Sequence, residues 1–157
     1  MTIRLAISGF GRIGRMVLRA SQEIPSDDME VVLINSPGPV ETSAHLYEFD
    51  SVHGRAAGEV TFGDDWMNIG NGKIHMSRER DPGNIPHAAQ RVDIVLECSG
   101  KFNSRDASAA HLRAGAKKVL VSAPCKNADT TIVYGVNHND LTEDDNVVSN
   151  ASCTTNC

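Results

Sequence analysis

The sequence has 157 residues and a formal net charge of −5, with 40% hydrophobic and 22% charged residues. That suits one domain with one core, is too apolar for a disordered chain, and lacks the basic stripe of a nucleic-acid binder. No apolar run reaches membrane-spanning length and the opening Met-Thr-Ile-Arg-Leu-Ala-Ile is no secretory signal, so a cytoplasmic protein with reduced thiols at Cys98, Cys125, Cys153 and Cys157 is expected.

Ile3 to Ser8 is short, apolar and rich in β-formers, and reads as a strand. Arg12 to Glu23 follows with Ile13, Met16, Val17 and Ala20 spaced for one helical face. Pro25 and Ser26-Asp27-Asp28 break that helix. Glu30 to Asn35 is a second buried strand, and Ser36-Pro37-Gly38-Pro39 is loop. A short helix is expected from Thr42 to Phe49. From Glu59 to Arg78, turn signals at Gly63-Asp64-Asp65 and Gly70-Asn71-Gly72 predict an antiparallel meander. Val92 to Cys98 is the next buried strand. It is followed by a helix over about Ser104 to Ala114, stopped at Gly115, and a strand from Lys118 to Ser122. Thr131 to Tyr134 and Asn146 to Ser149 are short strand candidates. Strands alternating with helices imply an α/β, Rossmann-type doubly wound and mostly parallel sheet, here with an antiparallel meander insertion.

The first strand runs directly into Gly9-Phe10-Gly11-Arg12-Ile13-Gly14, and a helix follows. A lone Gly-x-Gly-x-x-Gly is a weak signal. A strand before it, a helix after it and a second strand within one βαβ unit make it a dinucleotide cradle rather than a glycine-rich turn without a ligand. Gly9 permits the tight turn, Gly11 lets backbone approach a pyrophosphate, and Gly14 lets helix pack on strand. The N–H groups near Arg12 and Ile13 lie at the positive end of the helix dipole, where a pyrophosphate is favoured. An acid is expected at the end of the second strand to hold the adenosine ribose. The strand ends instead at Asn35-Ser36, and the nearest acid is Glu41, beyond two prolines. A carboxylate there would repel a 2′-phosphate and a serine would not, so NAD or NADP is expected, with tolerance of, or preference for, NADP.

The last residues are Val-Val-Ser-Asn-Ala-Ser-Cys-Thr-Thr-Asn-Cys. A helix beginning here would place Ser152 near its N-cap and Cys153 in its first turn, which favours a thiolate. N–H groups and the Thr154 hydroxyl could hold an oxyanion or phosphate. Such a thiolate can attack an aldehyde, pass a hydride to a nicotinamide and retain a thioester. Spacing alone leaves a buried structural thiol as an equal alternative. Cys157 reads as a packing residue, because no matching Cys/His pair makes a metal site; Cys98, in a buried strand, and Cys125, in a loop, read as structural too.

The run Ala151-Ser-Cys-Thr-Thr-Asn-Cys157 resembles the active-site signature of phosphorylating glyceraldehyde-3-phosphate dehydrogenases. Four more segments resemble that family in the same order: Ile7 to Arg15, Asp50-Ser-Val-His-Gly-Arg55, Arg80-Asp-Pro82, and Ala114 to Pro124. The resemblance covers essentially the whole chain. It implies that Gly9, Gly11, Arg12, Ile13, Gly14, Asn35, Ser36, Arg80, Ser99, Gly100 and Ser122 serve the cofactor, with Arg80 beside the adenine and Ser99 and Ser122 toward the nicotinamide. It implies Cys153 as nucleophile, Ser152 and Thr154 as substrate and phosphate contacts, and inorganic phosphate releasing 1,3-bisphosphoglycerate. Family members that use NAD usually carry Asp at the position of Ser36. Erythrose-4-phosphate dehydrogenases are similar over this half, and a stand-alone dinucleotide-binding module is a further alternative; semialdehyde dehydrogenases differ around the cysteine. The resemblance divides the chain into a dinucleotide domain, residues 1–150, and the start of a catalytic domain, 151–157. The rest of that domain, with its histidine base and phosphate-gripping arginine, would lie outside the chain, which is then expected to bind cofactor with little turnover. A full-length homotetramer is implied. His45, His53, His75, His87, His111 and His138 match no general base and read as surface or satisfied structural residues.

Overall fold

The computed structural model describes residues 2–24 and 26–157. The sequence's helix-breaking Pro25 lies outside the described residues. The first strand, β1 (Ile3–Ser8), takes the middle of a nine-stranded sheet. It pairs in parallel with β2 (Met29–Asn35) on one side and β8 (Ile94–Glu97) on the other. Covered on both faces, these strands can be apolar along their length, and Leu5 to Ser8 and Val32 to Asn35 are buried. Beyond β8 come β9 (Lys118–Val121), β11 (Val147–Ser149) and β10 (Thr130–Thr131), all parallel. Beyond β2 comes β7 (Lys73–Ser77), also parallel, and then β6 (Trp66–Asn68) and β5 (Thr61–Phe62), antiparallel. The expected meander therefore extends the edge of the main sheet, its last strand running parallel to β2. Asn68 holds one of its turns, its Oδ1 accepting from the N–H of Gly70 at 2.9 Å and of Gly72 at 3.2 Å.

Adjacent strand residues point to opposite faces, which divides the core in two. Ile7 and Ile34 join Phe10, Leu18 and Tyr47 on one face, under α1 (Arg12–Glu23) and α2 (Val40–Glu48). Ala6 and Leu33 join Val95, Val119 and Val147 on the other, under α3 (Arg105–Arg113). α3 is capped as its sequence suggests. Ser104 Oγ accepts from Ala107 N–H, Asp106 lies in the first turn, Arg113 in the last, and Gly115 follows at φ +104°.

Several boundaries differ from expectation. The second helix begins at Val40, directly after Pro39, and stops at Glu48. Phe49 is extended and forms β3 (Phe49–Asp50), which pairs with β4 (Gly54–Arg55) in a separate small hairpin. The hairpin exists because Asp50 Oδ1 accepts the N–H groups of Val52 and His53, each at 2.9 Å, and closes the turn. Cys98 lies just past the end of β8, and Ser122 just past β9. β10 ends at Thr131, leaving Tyr134 exposed. The last element is α4 (Cys153–Asn156). No helix among the described residues is long and apolar enough to cross a membrane.

Candidate functional site

Successive crossovers leave β1 toward β2 on one side, while β8 begins the other half of the sheet. The junction of β1 and β8 is thus a topological switch point, where open α/β sheets bind ligands beyond the carboxyl ends of their strands. The glycine run follows β1 at that point. Gly9 has φ +89°, and a Cβ built on it would stand 2.5 Å from the Ser99 Cα and backbone N. A Cβ on Gly14 would stand 2.2 Å from the Gly9 carbonyl oxygen and 3.0 Å from Ile7 Cγ2. These two glycines are required by the protein's own packing. Gly11 is not: nothing lies within 4 Å of where its Cβ would be. Its open side, at the start of α1, is room that the fold leaves for something else. As the N-cap residue, Gly11 also offers no side chain to the first N–H groups of α1, which stay available to an anion.

A groove opens over this loop. Its walls include Gly9, Phe10 and Gly11 from the first turn, Asn35 and Ser36 from the end of β2, and Arg80. Cys98 and Ser99 close the side next to β8. Ser122 and Gly100 are outside these lining residues; Ser122 stands behind, its N–H donating to the Glu97 carbonyl at 3.0 Å. Arg12 turns its guanidinium to Asp50, with Nη1 3.1 Å from Oδ2. Backbone hydrogen bonds from His53 and Val52, with that guanidinium and the His53 ring, hold the Asp50 carboxyl well below its usual range. Asn35 is buried, and its amide is occupied by protein: Nδ2 donates to the Glu79 carbonyl, while Oδ1 accepts from Ser77 Oγ and Glu79 N–H. It shapes the groove by tying β2 to the segment after β7. Ser36 is tied there too, its N–H donating to the Ser77 carbonyl at 2.9 Å.

Sequence reasoning missed Glu79, Lys101 and Phe102, which also line the groove. For Glu79 the signal was available, since it directly precedes Arg80 in the Arg80-Asp-Pro82 segment. A carboxylate-bearing residue does stand at this wall, supplied from the end of β7 rather than of β2.

Past β11 the chain turns at Ala151, buried at φ +55°, an unusual conformation for a residue with a Cβ. Its N–H donates to Ser149 Oγ at 3.2 Å. Ser152 then caps α4 as expected, its Oγ accepting from Thr155 N–H at 3.0 Å. Cys153 opens that turn, exposed, with Thr154 beside it also exposed. Since β1, β8, β9 and β11 are parallel neighbours in order, the glycine loop and Cys153 follow the same edge of the sheet. The strands they follow, β1 and β11, are three strand spacings apart, about 14 Å.

The four thiols divide cleanly. Burial pushes Cys98 up to about 11, the Ser122 hydrogen bond only partly opposing it, and burial likewise raises Cys125. Cys153 and Cys157 are exposed. Iodoacetamide at pH 8 is therefore expected to label Cys153 and Cys157 in the folded protein, and all four thiols only in urea, as read by peptide mass spectrometry. Prompt labelling of Cys98 without denaturant would contradict the raised thiol of this half-buried wall residue.

Residues 3–105 match the family described as glyceraldehyde 3-phosphate dehydrogenase, NAD binding domain. Over 157 residues the chain is 61% identical to a glyceraldehyde-3-phosphate dehydrogenase of Cereibacter sphaeroides, all of this chain aligning with 46% of that protein. A namesake from Xanthobacter flavus is 60% identical, with 47% of its length covered. Glyceraldehyde-3-phosphate dehydrogenase 2 of Bacillus subtilis is 46% identical, again over the whole of this chain and 46% of the relative. The chain spans about half the length of the curated relatives it matches. A strand-to-helix glycine loop at the switch point of a doubly wound sheet, matched in sequence across its whole length, places this chain in the glyceraldehyde-3-phosphate dehydrogenase family, as its NAD-binding domain.

Proposed function

We propose that residues 1–150 bind the dinucleotide half of a reaction in which glyceraldehyde 3-phosphate is oxidised and phosphorylated, and that residues 151–157 bring the nucleophile. The observation that carries this reading is the common sheet edge shared by the glycine loop and Cys153. With the pyrophosphate at Gly11 and the first N–H groups of α1, the adenosine end lies toward Ser36 and Arg80. The other end then lies toward β9 and β11, where Cys153 stands. The bound nicotinamide supplies a hydride acceptor. The Cys153 thiolate adds to the aldehyde carbon to give a hemithioacetal. Loss of hydride from that carbon, which the nicotinamide would accept, and of the hydroxyl proton to a base leaves a thioester, and attack by inorganic phosphate releases the acyl phosphate and restores the thiolate. Ser152 and Thr154 lie beside the thiol, where hydroxyl groups can hold the substrate.

The groups that would move the proton and grip the substrate phosphate lie in this reading outside these residues. A general base accelerates its step by about 10²–10⁴-fold. The 157-residue chain is therefore expected to bind dinucleotide while forming almost no reduced cofactor from glyceraldehyde 3-phosphate and phosphate. Calorimetric titration combined with absorbance at the reduced-nicotinamide band tests this, and sustained turnover would refute it.

Ser36 governs the choice of cofactor. It places a hydroxyl, not a carboxylate, at the end of β2, and Arg80 lines the same groove. Binding of NADP with an affinity comparable to that of NAD is expected. Ser36→Asp should weaken NADP binding by about tenfold or more through repulsion of the 2′-phosphate, leaving NAD little changed. A wild-type chain that binds NAD far more tightly than NADP would refute the role given to Ser36.

A further inference from the structure

Behind the groove wall three titratable side chains stand in a row, each at most 1% exposed: His87, His111 and Glu97. His87 precedes β8, His111 is on the inward face of α3, and Glu97 is the last residue of β8. His87 Nε2 lies 3.0 Å from His111 Nδ1, and His111 Nε2 lies 2.9 Å from Glu97 Oε2. His87 Nδ1 is buried with no partner among the described residues, which assigns the His87 proton to Nε2, donating to His111, with His111 Nε2 donating to Glu97. The second carboxylate oxygen is taken up by the turn after β8. Glu97 Oε1 accepts from the Ser99 N–H at 2.7 Å and also from the Ser99 hydroxyl. Burial acts to raise the Glu97 carboxyl, but hydrogen bonds from His111, Ser99 and Ser8 outweigh it and hold it below its usual value. An ionised carboxylate is thus enclosed in the domain.

Enclosed charges seldom add stability over well-packed apolar residues of the same volume. What this one does is hold a turn. Ser99 stands where a Cβ on Gly9 would be, and Gly100 after it has φ +71°. The turn returns Lys101 N–H to Ser99 Oγ at 3.2 Å. α3 grips the same segment a second time: Ser108 Oγ donates to the Phe102 carbonyl at 2.6 Å, and the Phe102 ring meets the His111 ring edge-on at 6.3 Å. Ser99, Lys101 and Phe102 are all groove wall.

We propose that Glu97 and His111 are positioning residues for the dinucleotide: anchored by His111, the Glu97 carboxylate holds the Ser99 turn against Gly9 and so fixes the gap between the ends of β1 and β8. This rests on the dinucleotide reading above. A charge-assisted hydrogen bond fixes the Ser99 N–H more firmly than a neutral acceptor would. His111 keeps the carboxylate from turning away.

The test compares Glu97→Gln, His111→Leu and His111→Gln with the wild-type chain. NAD affinity is read by calorimetry, folding by circular dichroism, and the Ser99 amide by ¹⁵N-resolved NMR without ligand. Glu97→Gln and His111→Leu are each expected to weaken NAD about tenfold or more, the worth of one hydrogen bond to a charged group. Both should move the Ser99 amide proton upfield. His111→Gln, whose amide can still donate to Glu97, should recover most of the affinity and the amide position. Folded variants that bind NAD within about twofold of wild type overturn the proposal, as does weakened binding with an unmoved Ser99 amide. If His111→Leu does not fold, Glu97→Gln and His111→Gln decide by the same readouts. A wild-type chain that binds no dinucleotide is a different result, and overturns the functional reading on which the proposal rests.

Discussion

Gly9→Ala is expected to lower folding stability by about 3 kcal/mol or more and to abolish dinucleotide binding, the sum of backbone strain and overpacking of about 1–3 kcal/mol each. The strain arises because Gly9 has φ +89°, a conformation that residues with a Cβ rarely adopt. The overpacking arises because the new Cβ would lie 2.5 Å from two backbone atoms of Ser99 and 2.9 Å from the Cys98 carbonyl carbon. Backbone cannot rotate aside as a flexible side chain can. Ser99 follows β8, which is paired with both β1 and β9, so any retreat must shift the centre of the sheet. Gly11→Ala makes the contrast. Its φ is −74° and its Cβ would meet nothing within 4 Å, so the loss is confined to the poorer N-cap that Ala makes, about 1 kcal/mol. Dinucleotide binding should nevertheless weaken, because the methyl would occupy the space through which backbone approaches the pyrophosphate. Urea denaturation and calorimetric titration of both variants separate the two effects. A Gly9→Ala midpoint equal to wild type would contradict the geometry of the turn. Unchanged binding by Gly11→Ala would contradict the place assigned to the pyrophosphate.

That pair of glycines also marks how much could be read in advance. Strand, glycine turn and helix are contiguous, and their chemistry is local, so β1 and α1 begin and end where the pattern of residues says. The cap at Ser152 is equally local, being set by a hydroxyl and an N–H three residues on. What could not be read is convergence. Lys101 and Phe102 reach the groove only because α3 draws the 99–102 turn inward, which no spacing in the chain encodes. Asn35 shows the same limit from the other side. Its position at the mouth of the groove was legible, but its amide groups are spent on Ser77 and Glu79, partners more than 40 residues away. Phe49 is a local failure: a helix expected to run through it stops at Glu48, because the turn built by Asp50 takes it into a hairpin. His87 and His111, expected as surface or satisfied structural residues, are wholly enclosed. An imidazole carries no sign of its burial in a single sequence, since the ring suits a wet surface and a paired interior equally.

Lowering the pH from 7 to 5 is expected to remove about 2 kcal/mol of stability through His87 alone. Burial, with the neighbouring His111 ring adding to it, brings His87 down to about 4. The physical origin is visible in its bonds. The neutral ring is satisfied at Nε2, whereas protonation would place a second N–H at Nδ1, which is buried and has no partner among the described residues. The unfolded chain has no such restriction and takes up the proton near pH 6.5. Between about 6.5 and 4 the unfolded state therefore holds more protons than the folded one, and stability falls as pH falls through that window. Above it both states are neutral at His87 and the contribution is complete; below it both are protonated and the loss stops growing. Paired carboxylates such as Asp93 and Asp129, held low in the fold, lose their contribution only as the solution reaches the ordinary carboxyl range, which leaves the upper part of the window to histidine. Urea denaturation of wild type and His87→Gln at intervals from pH 7.5 to 4.5 measures this directly, the midrange spacing chosen to straddle the ordinary imidazole value of about 6.5. The variant should start less stable and decline less steeply, so that the two stabilities approach each other in acid. Parallel declines would mean that His87 accepts a proton in the folded chain, and that the row it begins with His111 and Glu97 is open to water.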